Sequence, residues 1–425
     1  MLVLLGLSGL ALGGDRPSGR EAPGQRGAGP LEQSAYVWQR GWGSLDRSVE
    51  VALAQQGSSF AELLVLAAEI DPERGDVEVA WDARALAETG ARVGLVVRVG
   101  PWSFDGTTRV RERMIAAALA QLDRADAAGL EVAELQIDFD AASRSLADYA
   151  AWLVELRRAL RGREVALTIT ALPDWLNRPE LAELLELVDG WVLQVHSLSP
   201  PRASGSRELI DPTQARAAVE RAAVLGRPFR VALPTYDYLI ARADGLARAG
   251  GLAAEQAPAN PSRERFDRAS VDPAEVAELI AGWTEDRPAA LIGVVWFRLP
   301  TADDRLAWSW PTLRAVMAGR APLEDLALEI CTSDAGLSEL ALINRGEADA
   351  WTSELAPLHV RADRPWLAHD ALAWFEAEAH EDTLVLEASS HRRIAPGESL
   401  AIAWLRFEGP AELELDFPTT PCTRD

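Results

Sequence analysis

The sequence predicts an α/β protein: a (β/α)8 TIM-like barrel followed by a small C-terminal β-sandwich. Three observations carry this. Between Ser34 and about Arg320, eight short apolar runs alternate with segments whose apolar residues recur at helical spacing. Alternation over roughly 290 residues fits a parallel sheet wrapped by helices, and eight units fit a closed barrel. After Pro322 the helical spacing stops, and short alternating runs bounded by turn residues replace it.

The predicted strands, in order, are Ala35–Gln39, Glu62–Ile70, Val93–Val99, Leu135–Asp140, Val165–Ala171, Gly190–His196, Phe229–Pro234 and Leu291–Leu299. Helical spacing is read in Arg111–Ala128, Leu146–Leu160, Arg178–Leu187, Thr213–Leu225 and Pro273–Thr284. The alternative, a doubly wound open sheet, lacks its signatures. No Gly-x-Gly-x-x-Gly follows the first strand, and a chain without Lys has no Gly-Lys-Ser/Thr phosphate loop. In the last hundred residues, Leu326–Ile330, Ser338–Ile343, Thr383–Glu387, Leu400–Phe407 and Ala411–Leu415 read as strands of an immunoglobulin-like sandwich, with Asn344-Arg-Gly and Ala395-Pro-Gly-Glu as turns. The expected divisions are therefore 1–33 (signal-like segment and flexible lead-in), 34–321 (barrel) and 322–425 (sandwich).

Composition narrows the partners. A net charge of −23 argues against nucleic acid, which needs a basic surface, and against docking on anionic lipid. The apolar run from Met1 to Gly13 resembles the core and cleavage region of a secretory signal, although no basic residue precedes it. It is too short to span a bilayer as a helix, so the expectation is export to the periplasm or outside the cell, with no transmembrane segment. Only Cys331 and Cys422 are present; one disulfide and two separate thiols both remain open. No Cys/His cluster suggests a metal, and no cofactor motif is found.

In a barrel of this type the site lies at the carboxyl ends of the strands. The fourth predicted strand, Glu134-Leu-Gln-Ile-Asp-Phe-Asp140, ends in two acids one residue apart. Strand alternation puts Gln136, Asp138 and Asp140 on one face, where unpaired carboxylates are costly. The other strand ends supply Glu69, Trp38, Arg98, Trp102, Gln194, His196, Tyr236, Trp296 and Arg298. Acids, guanidinium groups and indoles at one rim suit a sugar, whose apolar face stacks on an aromatic ring while its hydroxyls bond to polar groups. The predicted catalytic set is Asp138, Asp140 and Glu69, with Asp140 as general acid. Trp38, Trp102, Trp296 and Tyr236 form the predicted sugar platform, and Arg98, Gln194, His196 and Arg298 position polar groups. The competing reading gives these acids to caps and ion pairs, and the indoles to sealing the barrel.

Eight segments resemble the bacterial domain-of-unknown-function family 3142: Tyr36–Gln39, Val65–Glu69, Val97–Trp102, Leu135–Asp140, Leu167–Pro173, Val192–Ser197, Phe229–Tyr236 and Val295–Pro300. That resemblance implies no activity. More remotely, Leu135–Asp140 resembles the strand-four motif of chitinase-type glycosidases, Asp-x-x-Asp-x-Asp-x-Glu, whose final Glu donates a proton. In one register Ala142 stands at the donor position and the chemistry is lost. In the register shifted by two, Asp140 stands there. The resemblance thus implies either a glycoside hydrolase-like barrel or a catalytically inactive carbohydrate-binding protein of the cell envelope.

Overall fold

Eight parallel strands close into a barrel in the computed structural model, which describes residues 24–43, 47–71, 75–100, 108–196, 209–243, 246–251, 266–372, 374–380 and 382–422. The strands are β1 (Glu32–Val37), β2 (Glu62–Ile70), β3 (Arg92–Val99), β4 (Glu134–Phe139), β5 (Ala166–Ala171), β6 (Gly190–Gln194), β7 (Phe229–Pro234) and β8 (Leu291–Phe297). Each pairs with its sequence neighbours, and β8 pairs with β1, which pairs with β2 to close the ring. A helix follows each strand: α1 (Ser48–Gln56), α2 (Ala83–Glu88), α3 (Thr108–Ala127), α4 (Leu146–Ala159), α5 (Glu180–Leu185), α6 (Pro212–Ala223), α7 (Pro273–Glu285) and α8 (Trp310–Met317).

All eight predicted strands are present, with ends moved by up to three residues. They were visible because a parallel strand under helices is buried on both faces and reads as a continuous apolar run. In β4 and β7 every residue is buried. The five predicted helices are also present. Helices α1, α2 and α8, and a three-stranded antiparallel excursion after β7 (Tyr238–Ala243, Leu246–Gly251, Phe266–Ala269), were not anticipated. α2 has only six residues, too few for a period to show. Its start is set by Asp82, whose carboxylate accepts from the Ala85 amide at 2.9 Å. Asp211 and Asp272 cap α6 and α7 in the same way, each with Pro in the first turn.

The described part of the lead-in begins at Gly24 and is held against the barrel. Arg26–Gly27 pairs with Arg287–Pro288, Arg26 bridges to Glu220 (2.8 Å) and Asp286 (2.7 Å), and Leu31 is buried. The signal-like run Met1–Gly13 lies outside the described residues.

Two apolar layers hold the barrel. The larger lies between strands and helices and contains Trp152, Trp175, Trp191 and Trp296, all 2% exposed or less. The smaller fills the interior with Tyr36, Leu64, Leu66, Val96, Val192, Ala232 and Val295, and Trp38 sits above Tyr36. Below this layer lies a buried ionic cluster. Arg230 of β7 bonds Glu62 of β2 at 2.7 Å and both oxygens of Glu134 of β4 at 2.7 and 2.8 Å. Gly94 of β3 makes room for it: a Cβ there would lie 2.7 Å from the Glu134 Cγ and 2.6 Å from Leu64.

The C-terminal region is a sandwich. Its strands are β9 (Leu326–Thr332), β10 (Leu337–Asn344), β11 (Leu358–Ala362), β12 (Ala368–Ala371), β13 (Phe375–His380), β14 (Thr383–Ala388), β15 (Ser399–Arg406), β16 (Leu413–Leu415) and β17 (Thr419–Pro421). One sheet runs β12-β15-β10-β9-β17 and the other β13-β14-β11-β16. Leu328, Leu340, Leu342 and Leu405 of the first sheet meet Leu358, Val360, Leu384 and Leu386 of the second in one core. β17 runs parallel to β9, which places Cys422 beside Cys331, and the two form a disulfide. The sandwich touches the loops that leave β7 and β8. Arg268 pairs with Asp237 (2.6 Å) and with Glu354, Arg393 donates to the Ala307 carbonyl, and Asp349 accepts from the Ser309 amide at 2.7 Å.

No helix among the described residues is long and apolar enough to cross a membrane.

Candidate active site at the barrel mouth

The inward face of β4 carries Glu134, Gln136 and Asp138, with Asp140 just past the strand end. These four polar groups rise from the floor of the barrel to its mouth. Glu134 is neutralised by Arg230. Gln136, fully buried, accepts from the Tyr36 hydroxyl at 2.7 Å. Asp138, 9% exposed, accepts at one oxygen from the Thr170 hydroxyl (2.8 Å) and the Gln194 amide (3.0 Å).

Asp140 differs from the three below it. It is exposed to solvent. Among the described residues it has no hydrogen-bond donor. Burial of its surroundings, then the like charge of Asp138, push its carboxyl up to about 6, with Arg98 opposing. The Asp138 carboxyl is also raised, by burial first; Arg98, Thr170 and Gln194 oppose that. Behind the pair, Tyr36 and Tyr149 are fully neutral phenols, raised well above the usual tyrosine value by burial and then by Asp138.

Glu69 ends β2 beside this pair, and both its oxygens are taken by Arg40, at 2.8 and 3.0 Å. Arg98 of β3 stands in register between Glu69 and Asp138, its guanidinium 3.6 Å from Glu69 and 5.8 Å from the centre of the Trp38 ring.

The aromatic residues fall differently from the sequence reading. Trp38 is 3% exposed and packs edge-on against Tyr36 (5.6 Å) and Phe297 (5.0 Å), sealing the barrel interior. Trp296 is fully buried on the outer side of β8, where its indole donates to Gln33 at 2.7 Å. The ring that faces the mouth from β8 is Phe297, half-buried and stacked on His196 at 5.5 Å. The assignment missed by one residue, which reverses the face. Gly293 could have corrected it: that glycine lies against Arg230 inside the barrel, so 293, 295 and 297 point inward. Tyr236 is 2% exposed, with its hydroxyl 3.4 Å from His196 Nδ1 and its ring against Phe297 at 5.5 Å. Burial drives His196 down to about 4, so it is neutral at physiological pH. Arg298 is 2% exposed and committed to Asp304, with Nε to carboxylate oxygen at 2.7 Å. Trp102 lies outside the described residues.

The structure thus gathers Asp138, Asp140, Arg98, Glu69, Gln194, His196 and Tyr236 around one mouth. It places Trp38 beneath them, and Trp296 and Arg298 in packed positions. Thr170 and Phe297 join the site. The group offers a solvent-facing acid that holds a proton to near-neutral pH, an oriented carboxylate beside it, amide and imidazole groups, and an aromatic edge. Among the described residues no group of three or more His, Cys, Asp or Glu is placed to hold a metal ion.

Residues 96–302 match the model of a family described as domain of unknown function DUF3142, which takes in the last six of the eight resembling segments. Residues 330–408, within the sandwich, match domain of unknown function DUF8456. No curated protein sequence matches the chain. Among solved structures, the spore cortex-lytic enzyme SleL of Bacillus megaterium aligns with 12% identity over 69% of this chain and 75% of its own, at a TM-score of 0.49. A chitinase from Chromobacterium violaceum aligns with 15% identity over 68% of this chain and 98% of its own, at 0.43. A class V chitinase from Pseudomonas fluorescens aligns with 12% identity over 68% and 99%, at 0.46.

Proposed function

Taking residues 96–302 as matching the 3142 family, we propose that the barrel acts on a polysaccharide or glycan at its mouth. In this reading Asp140 protonates the departing glycosidic oxygen, and Asp138 orients it and balances charge. The observation that carries the reading is Asp140: a carboxyl that faces solvent, lacks a hydrogen-bond donor and holds its proton up to about pH 6. A carboxylate whose only role was structural would have a donor or a cation in contact, as Glu134 and Asp138 do.

The descent of β4 supports the shifted register of the chitinase-type motif. Asp140 is the last inward position before the chain turns into the 3-10 turn Ser143–Ser145, and Ala142 precedes that turn. The donor position therefore fits Asp140, with Asp138 and Gln136 below it. Gln194, His196 and Phe297 would contact the sugar, with Tyr236 packed behind them.

One observation favours a second reading, a silent carbohydrate-binding barrel. Hydrolysis with two carboxylates needs the second on the other side of the bond. Asp138 lies two residues before Asp140 on the same side of the mouth, with Cα atoms no more than ~6.6 Å apart by strand rise, and Glu69 is held by Arg40. The disulfide supports the further proposal that the protein is exported, since such bonds persist in oxidising compartments.

Hydrolysis of a glycan panel by the full chain separates the readings. The enzyme reading expects turnover on at least one glycan, full below pH 6 and falling above it. It also expects Asp140→Asn to bind that glycan while losing about 100- to 10,000-fold in rate. Binding without turnover at any pH establishes the silent reading instead.

A further inference from the structure

We infer that Arg98 is the positioning residue of the acid pair: it keeps Asp138 ionised and thereby leaves the proton with Asp140. The inference rests on the proposed role of Asp140 and concerns how that role is set up.

The geometry is that of a row across three strands. Glu69 of β2, Arg98 of β3 and Asp138 of β4 are register neighbours, pointing the same way at the mouth. Adjacent strands lie about 4.8 Å apart, so the guanidinium reaches both acids. Its first candidate partner is already engaged. Arg40 takes both Glu69 oxygens at hydrogen-bond distance, and Arg98 is left 3.6 Å away, beyond a hydrogen bond. Arg98 makes no hydrogen bond among the described residues. A guanidinium with five donors, partly out of water and over the Trp38 ring, is thus held by only a long ion pair to Glu69. What it does face is the acid pair, on which it is the one described cation that acts directly.

The two acids are not equivalent toward it. Asp138 receives two neutral donors, Thr170 and Gln194, and both favour its charged form. Asp140 receives none. A cation on the next strand favours the charged form of both acids and, added to the two donors that Asp138 alone receives, makes Asp138 the member that ionises first; its charge then holds the proton on Asp140. The other described groups acting on the pair do not supply this asymmetry. Glu69 raises the Asp138 carboxyl and so opposes its ionising first, the Tyr36 and Tyr149 phenols are neutral, His196 is neutral, and Glu134 is paired with Arg230.

The test is a carbon-detected NMR titration of the side-chain carboxyls in the full-length protein, assigned by Asp138→Asn and Asp140→Asn. It needs no ligand. In Arg98→Gln, which keeps hydrogen-bonding capacity and removes charge, the first ionisation of the pair should move up by about one pH unit, tenfold in proton affinity. Arg98→Lys, which keeps the charge, should recover at least half of that shift. An unmoved titration in Arg98→Gln overturns the inference, and so does a shift in Arg98→Lys as large as in Arg98→Gln. If turnover depends on Asp140 while the titration is unmoved, the proposed function stands and the role of Arg98 falls.

Discussion

Strand β4 carries acids at both ends of one face, and the two ends treat them in opposite ways. At the floor, Glu134 shares the buried Arg230 with Glu62, and all three are less than 10% exposed. One guanidinium nitrogen, Nη2, donates to both oxygens of Glu134, and the Thr168 hydroxyl adds a bond at 3.0 Å. At the mouth, Asp138 has neutral donors and a cation at a distance, while Asp140 has solvent and a raised proton affinity. A carboxylate at the start of the strand is a structural ion, and one just past its end is a proton-holding group. The difference is where the protein supplies a contacting counter-charge.

The comparison can be broken most forcefully from below. Arg230→Met leaves Glu62 and Glu134 without their buried partner, and removal of one member of a buried ion pair costs about 3–5 kcal/mol. Chemical denaturation should show that loss, with an unchanged denaturant slope. A loss under 1 kcal/mol would mean that water reaches the floor. Even with Arg230 in place, burial and the charge of Glu134 push the Glu62 carboxyl up to about 7. The floor therefore holds one acid more than it neutralises well.

A smaller effect is expected at the mouth. The Asp140 carboxyl is raised from the usual aspartate value to about 6, so the stability it contributes is fully present below pH 4 and lost as pH rises through 6. Asp140→Asn should therefore leave the melting temperature unchanged at pH 4 and raise it slightly at pH 8, on the order of 1–2 °C. A melting temperature lowered at pH 8 would assign Asp140 a structural role and align the mouth with the floor. The sandwich offers a separate control. Its disulfide closes a loop of 91 residues, worth about 4–5 kcal/mol by chain entropy. Reduction should lower sandwich stability while the Asp140 titration stays where it is.

How much of this was legible in the sequence follows from what each feature depends on. The eight strands were legible because two-sided burial writes continuous apolar runs such as Glu62–Ile70 and Phe229–Pro234. The acid pair was legible because Asp138 and Asp140 break such a run at its end. Features that depend on register between strands were not. Nothing local shows that Arg40 takes Glu69 and spares Arg98, or that Thr170 and Gln194 meet one oxygen of Asp138. Trp296 was misplaced because its size suggested a platform, while alternation from Gly293 turns it outward and Phe297 inward. Cys331 and Cys422 stayed ambiguous because only the parallel pairing of β17 with β9 brings them together.

The central claim is that Asp140 is a working acid at the mouth of a glycan-acting barrel. Its most direct measurement is the pH dependence of kcat/KM for the full chain on whichever glycan it cleaves, compared with Asp140→Asn. The account predicts a limb that falls above about pH 6 in the wild type, and a rate at least 100-fold lower without that limb in the variant. A variant that keeps the wild-type rate and the same limb would contradict it.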